Sequence, residues 1–232
     1  MQPYAEVLAE EYAILHPEYE IDIQGGGSSA GIMAAQTHTA HIGMSSRSLT
    51  EKEQSMWNCE IAKDGLAVIV HPANPLGNLT LAQINDVYAA NIITWRELGG
   101  TGSRIHIIAR EEGSGTRSAF ESLVMTKDDI TPRAIIQDSN GAVRQLVSGD
   151  INSIGFISLG LVDETVKALN LNGIAPTREN VLNGSYSLYR PFLFVAESEP
   201  EGSVKKFIDF IFSKEGQELL THEGLITEFN RD

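Results

Sequence analysis

Cysteine is almost missing from this sequence of 232 residues: Cys59 stands alone. One thiol cannot form an internal disulfide, and it excludes any metal site built from several thiolates. A lone cysteine is expected as a small buried hydrophobe. Basic residues are scarce as well. Lys and Arg number 17 against 31 Asp and Glu, a net charge of −14. A protein that grips nucleic acid irrespective of sequence neutralises phosphates with clustered Lys and Arg, so the balance argues against that class. It argues equally against docking on an anionic membrane surface. No apolar run approaches the roughly 18 residues of a membrane span. The opening Met1-Gln2-Pro3-Tyr4-Ala5-Glu6 is polar and helix-like rather than a signal peptide, which leaves cytoplasmic residence or an export segment left off. Fixed repeats, low-complexity tracts and coiled-coil heptads are absent. Neither G-x-x-x-x-G-K-[ST] nor G-x-G-x-x-G occurs at a strand–helix junction, which weakens a nucleotide-binding reading. H-E-x-x-H spacing is absent too. His16, His38, His41, His71, His106 and His222 read as scattered, so no metal and no other cofactor is expected.

What is present is an ordinary globular composition, 42% hydrophobic and 21% charged. The length suffices for a full core in one large domain or two lobes. Pro3 suits a first helical turn, and Tyr4, Leu8, Tyr12 and Leu15 follow at helical spacing until Pro17. Residues 19–24 alternate as a strand and run into Gly25-Gly26-Gly27-Ser28-Ser29, with a helix to about Gln36. Ala40–Met44 is a short strand ending in Ser45-Ser46-Arg47. Leu66–Val70 is a nearly continuous apolar run, as for a strand buried on both faces. Thr80 caps a helix to Tyr88. Strands follow at 105–109, 134–137, 153–158 and 191–196. The first feeds a helix through Val124 and the second a helix through about Ser148. An apolar stripe of Val204, Phe207, Ile208, Ile211 and Phe212 reads as a helix capped by Ser203. Strands and helices alternate throughout, which predicts an α/β fold with largely parallel sheets.

Three times a strand feeds a Gly/Ser-rich turn that opens a helix: Gly26-Gly27-Ser28-Ser29, Gly113-Ser114-Gly115-Thr116 and Ser139-Asn140-Gly141. A helix start carries unpaired N–H groups and the positive end of the dipole, so it suits an anion. Glycine lets the backbone approach a ligand, and a hydroxyl adds a donor. Any one turn is more simply an ordinary N-cap, but three together, two with an arginine nearby, favour an anion site. Arg110 ends a strand four residues before Ser114, and Arg47 follows Ser45-Ser46. Guanidinium forks match phosphate or carboxylate oxygens two at a time. Arg117, in a first helical turn, is expected to pair with Glu121 four residues on.

Several blocks now carry a specific resemblance. They are Gln24–Gly31, Ile42–Arg47, Asp64–Asn74, Trp95–Gly100, Arg110–Arg117 and Ile154–Gly160, in that order along essentially the whole chain. Together they resemble the phosphate-binding proteins of high-affinity phosphate ABC transporters. The resemblance implies a type II periplasmic-binding-protein fold: two α/β lobes with mixed sheets, joined by two crossing strands, with the ligand in the cleft between them. The first lobe would be residues 1–70 and 192–232, the second 71–191. The implied function is non-enzymatic capture of inorganic phosphate and delivery to the membrane permease of an ABC transporter. The implied location is periplasmic or extracellular, with any membrane anchor in a segment absent from this chain, and a monomer is expected. By matching motifs, Ser28 resembles the family serine that donates from hydroxyl and backbone. Arg110, Ser114, Gly115 and Thr116 resemble the arginine and the helix-start donors. Ser46 stands where many members have an aspartate that accepts the proton of hydrogen phosphate and rejects sulfate. With Ser46 followed by Arg47, as in shorter members, discrimination by charge is expected to be weaker. Ser139 is a further candidate donor. Family members begin with a strand and a Gly-Ser/Thr turn before the first helix. This chain starts at the helix, so that strand and its share of the site are expected to be missing and binding to be weaker.

Two other readings compete. Another tetrahedral oxyanion, such as sulfate, molybdate or tungstate, would suit the same donors. A serine hydrolase is the enzyme reading: Gly27-Ser28-Ser29-Ala30-Gly31 fits G-x-S-x-G, with Asp163 and His222 later in the chain, but the elbow lies too close to the N-terminus for that fold. The acidic pairs Glu10-Glu11, Glu111-Glu112 and Asp128-Asp129 read as solvated charge. Trp57 and Trp95 read as packing residues.

Overall fold

The computed structural model describes residues 1–227. In chain order the elements are α1 (Gln2–Leu15), α2 (Gly27–Gln36), β1 (Gly43–Ser45), β2 (Trp57–Val70), β3 (Asn78–Leu79), α3 (Leu81–Tyr88), β4 (His106–Arg110), α4 (Gly115–Leu123), β5 (Ile135–Gln137), α5 (Asn140–Gly149) and β6 (Ser153–Ser158). They continue with β7 (Lys167–Ala168), β8 (Asn170–Leu171), α6 (Arg178–Leu182), β9 (Tyr189–Ala196), α7 (Gly202–Ile211) and α8 (Lys214–His222). The chain forms two compact units. One comprises Met1–Asp64 and Arg190–Asp232, the other Gly65–Tyr189. The chain therefore changes unit twice, inside β2 and inside β9.

In the first unit β9 pairs with β1 in antiparallel register, Met44 opposite Phe194. The helical spacing of α1 places Tyr4, Leu8 and Tyr12 on one face, and all three are buried. They meet Phe192 and Phe194 of β9, Phe207, Phe210 and Ile211 of α7, and Leu220 of α8. Full burial of such side chains stabilises by about 1.5–3 kcal/mol each. Aromatic edges add direction: Tyr12 lies 5.2 Å from Phe207 in an edge-on arrangement.

Where the chain leaves and re-enters this unit, an ion pair is buried. Asp64 and Arg190 are 0% and 2% exposed. Asp64 Oδ2 accepts from Arg190 Nε at 3.1 Å and from Nη2 at 2.8 Å. The Arg190 guanidinium also sits 5.3 Å from the centre of the Phe192 ring. Charges so far from water persist only when paired and hydrogen-bonded.

In the second unit β2 pairs antiparallel with β6, Val68 opposite Phe156, while β6 and β5 both run parallel to β4. The sheets are thus mixed rather than largely parallel. Strand–helix alternation along the chain does not reveal that β2 meets β6 from the opposite direction. The apolar run Leu66–Val70 is buried on both faces, as its composition predicts. Ala67 and Ile69 pack with Val143 and Val147 of α5. Phe120 stacks on Phe156 with ring centres 4.0 Å apart. Thr80 caps α3 in a reciprocal box with Gln83.

Two further expectations are corrected. Residues 19–24 form no strand; Tyr19 and Ile21 are half-buried against the apolar cluster, so their alternation reflects one packed face without strand pairing. Ser203 does not cap α7, because the helix already begins at Gly202 with Glu201 at the cap position. Trp95 is buried as a packing residue, its Nε1 donating to the Asn152 carbonyl at 3.0 Å. Cys59 is partly buried on the first unit's core, and desolvation pushes its thiol up to about 11.

Replacing Asp64 by alanine removes the carboxylate that takes two donors of the buried Arg190. The expected loss is about 3–5 kcal/mol of unfolding free energy, measured by denaturant titration. A loss below about 1 kcal/mol would show that the charge finds water.

Candidate functional site

The first unit presents Ser28, Ser46 and Arg47. Helix α2 begins at Gly27, whose φ of +82° is open to glycine and strained for other residues. Ser28 follows in the first turn and is 3% exposed. The helix lies against β1 almost backbone to backbone. A Cβ on Gly43 would stand 2.2 Å from the Gly31 carbonyl oxygen, and one on Gly31 would stand 2.7 Å from that of Met44. This approach brings Ser28 to Ser46 across 18 residues. Ser46 donates its backbone N–H to Ser28 Oγ at 2.9 Å, and the two hydroxyl oxygens are 3.3 Å apart. Ser28 accepts the Ser46 N–H through its oxygen, and either hydroxyl can donate to the other.

Arg47 behaves differently. Its fork is closed on Glu53, Nη1 to Oε2 at 2.7 Å and Nη2 to Oε1 at 2.9 Å, and Nη1 also donates to the Ser48 carbonyl. Glu53 accepts the Thr50 N–H as well, at 2.8 Å. The Arg47 hydrogen bonds hold the Glu53 carboxyl down at about 2, burial opposes them, and the Thr50 N–H adds to the lowering. In this arrangement Arg47 clamps the loop that follows Ser46.

The second unit presents Arg110, Ser114, Gly115, Thr116 and Ser139. Because β4 and β5 are parallel, their carboxyl ends and the helix starts beyond them lie at the same end of the sheet. Ser114 caps α4, its oxygen accepting from Arg117 N, and Gly115 and Thr116 open the helix, all three buried. Ser139 caps α5 in the same way through Ala142 N, but is exposed. Each capping hydroxyl keeps its own proton to donate.

Arg110 ends β4 and is 8% exposed. Nε and Nη2 fork onto Glu111 at 3.0 and 2.9 Å. Nη2 also donates to the Asp138 carbonyl at 2.8 Å, and Nε to that of Gln137 at 3.3 Å. Nη1 donates to Asn140 Oδ1 at 3.3 Å. Glu111 is thus no solvated charge, contrary to the sequence expectation, and Asn140, named in the third turn without a role of its own, is a partner of Arg110. Their adjacency to Arg110 and Ser139 was the available signal. The expected Arg117–Glu121 bridge forms at 2.7 Å, and Arg117 Nη1 also ties down the Arg110 carbonyl.

Of the residues in the hydrolase reading, Ser29 is exposed, Asp163 is held by Arg144 at 2.9 Å and by Thr165, and His222 faces Glu223 at 3.6 Å.

A family model described as the PBP superfamily domain matches residues 1–215. A phosphate ABC transporter substrate-binding protein from Clostridium perfringens, solved with bound phosphate, is 43% identical, with a TM-score of 0.93 over 97% of this chain and 95% of that one. An ABC-type phosphate transport receptor from Vibrio cholerae is 38% identical, with a TM-score of 0.85 over 97% and 96%. The phosphate-binding protein PstS of Pseudomonas aeruginosa is 31% identical over 94% of this chain and 77% of its own length.

Two outcomes check the first unit's geometry. Gly43→Ala is expected to force α2 off β1 and to part Ser28 from Ser46, seen as lowered thermal stability and altered signals of both serines in NMR spectra. Unchanged spectra would show that the helix can yield. For Glu53 the depressed carboxyl contributes stability in full above its ordinary 4.5, lost as pH falls towards about 2. Glu53→Gln should therefore flatten the acid limb of stability between those values, measured by unfolding at a series of pH. An unchanged slope refutes the clamp.

Proposed function

This chain belongs to the PBP superfamily, among its phosphate-binding members, and on that premise we propose that it captures inorganic phosphate and delivers it to the permease of an ABC transporter. The two units correspond to the two lobes of that family's fold, and each contributes donors to the ligand. Hinged closure of such lobes converts binding into a shape that a permease can read. Ser28 and Ser46 donate from the first lobe. Arg110, the amides of Ser114, Gly115 and Thr116, and Ser139 donate from the second. Arg47 acts on the ligand indirectly, by holding the Ser46 loop.

The observation that carries this reading is the buried guanidinium of Arg110, prefixed by Glu111 and by the turn that opens α5, on the strand that leads into the Ser114 cap of α4. Fixed donors in a poorly hydrated site need no reorganisation when an anion arrives, so local attraction overrules the repulsion of a chain charged −14. The reading is of binding without bond chemistry, by a monomer working outside the cytoplasm. Among the described residues no helix is long and apolar enough to cross a membrane.

A second reading, that the site accepts other tetrahedral oxyanions, is favoured by one specific feature. Ser28 and Ser46 offer hydroxyls, which donate to any oxyanion oxygen whether or not it carries a proton.

Calorimetric titration with phosphate, sulfate and molybdate decides between them. Phosphate is expected to bind most tightly, with sulfate as a measurable competitor. Equal affinities would establish the broader specificity, and no binding of any of the three would refute the class. Arg110→Ala should weaken phosphate on the order of a hundredfold, the worth of a buried charge-assisted contact, with little change in helical circular dichroism. An unchanged affinity would move the site elsewhere.

A further inference from the structure

We infer that Asn140 is a positioning residue for the anion, acting through Arg110; the inference rests on the reading that Arg110 faces phosphate. A guanidinium has donors only, so whichever amide atom faces it must be the oxygen. Asn140 Oδ1 takes Nη1 at 3.3 Å, and it is the one side chain of the β5–α5 turn that holds Arg110, the other contacts from that turn being the Gln137 and Asp138 carbonyls. Glu111 takes the opposite edge, Nε and Nη2. Between them the plane of the guanidinium is held on both edges, while Nη1 keeps its second proton.

The amide does more than fill space. Asn140 is the first residue of α5, directly after the Ser139 cap. Through Arg110 it ties the start of α5 to the end of β4, four residues before the Ser114 cap of α4. One neutral side chain thereby keeps two helix starts and one cation in register. Neutrality matters. Glu111 already offsets the charge of Arg110, so a second carboxylate here would leave an arriving anion facing net negative charge. An aspartate would bind Arg110 more strongly, as charge-assisted bonds do, yet repel the ligand.

Affinity and stability therefore part company, which no merely structural role would produce. Titration with inorganic phosphate should show Asn140→Ala about tenfold weaker than the parent. Asn140→Asp should be weaker still, on the order of a hundredfold, while melting at or above the parent temperature. Without any ligand, the Arg110 side-chain Nη protons should be resolved by NMR in the parent and averaged by faster rotation in Asn140→Ala. Alanine binding within twofold of the parent, or aspartate binding as tightly as asparagine, overturns the inference. A parent that binds no phosphate overturns instead the functional reading on which it rests.

Discussion

A guanidinium removed from water has to be held on nearly every side, and in the second unit the polar end of the sheet is organised around that demand. Arg110 reaches from the end of β4 to the Glu111 carboxylate, to the Gln137 and Asp138 carbonyls and to Asn140. Asp138 and Asn140 belong to the turn that opens α5 and Gln137 ends β5, so satisfying the arginine also ties down where α5 begins. Arg117 closes the arrangement from α4 by taking the Arg110 carbonyl. Electrostatic cost and architecture are the same fact here: the site is rigid because its cation could not otherwise be buried.

The first unit gathers its polar groups by backbone approach instead. Backbone contact between α2 and β1, possible only with glycine at 31 and 43, brings two serines together. The nearby arginine is consumed by Glu53, whose carboxyl it holds ionised far into acid. Deeper in the same unit, Asp64 pairs with Arg190 where the chain leaves and re-enters. Of the arginines in these three ion pairs, Arg47–Glu53, Arg110–Glu111 and Asp64–Arg190, Arg110 also binds the turn that opens α5.

Much of the secondary structure was legible because it rests on neighbours in sequence. Tyr4, Leu8 and Tyr12 announce the buried face of α1. Thr80 and Ser139 announce their caps, and the spacing of Arg117 and Glu121 announces their bridge. The failures share one cause. Alternation at 19–24 marked a packed face but said nothing about a pairing partner. Alternating strands and helices suggested parallel sheets, while the antiparallel meeting of β2 and β6 joins segments some 90 residues apart.

The amino-acid sequence by itself determined where helices can start, which faces are apolar and which few residues could attract an anion. These follow from spacing and from the chemistry of single side chains. Tertiary structure alone decided how the arginines are employed. Arg47 and Arg110 follow similar strand ends and look equivalent in the chain. Yet Arg47 forks onto a loop glutamate, while Arg110, forked onto Glu111, also takes the turn that opens α5. Partner choice among charged groups depends on distance and dehydration, and both arise only after the strands have packed.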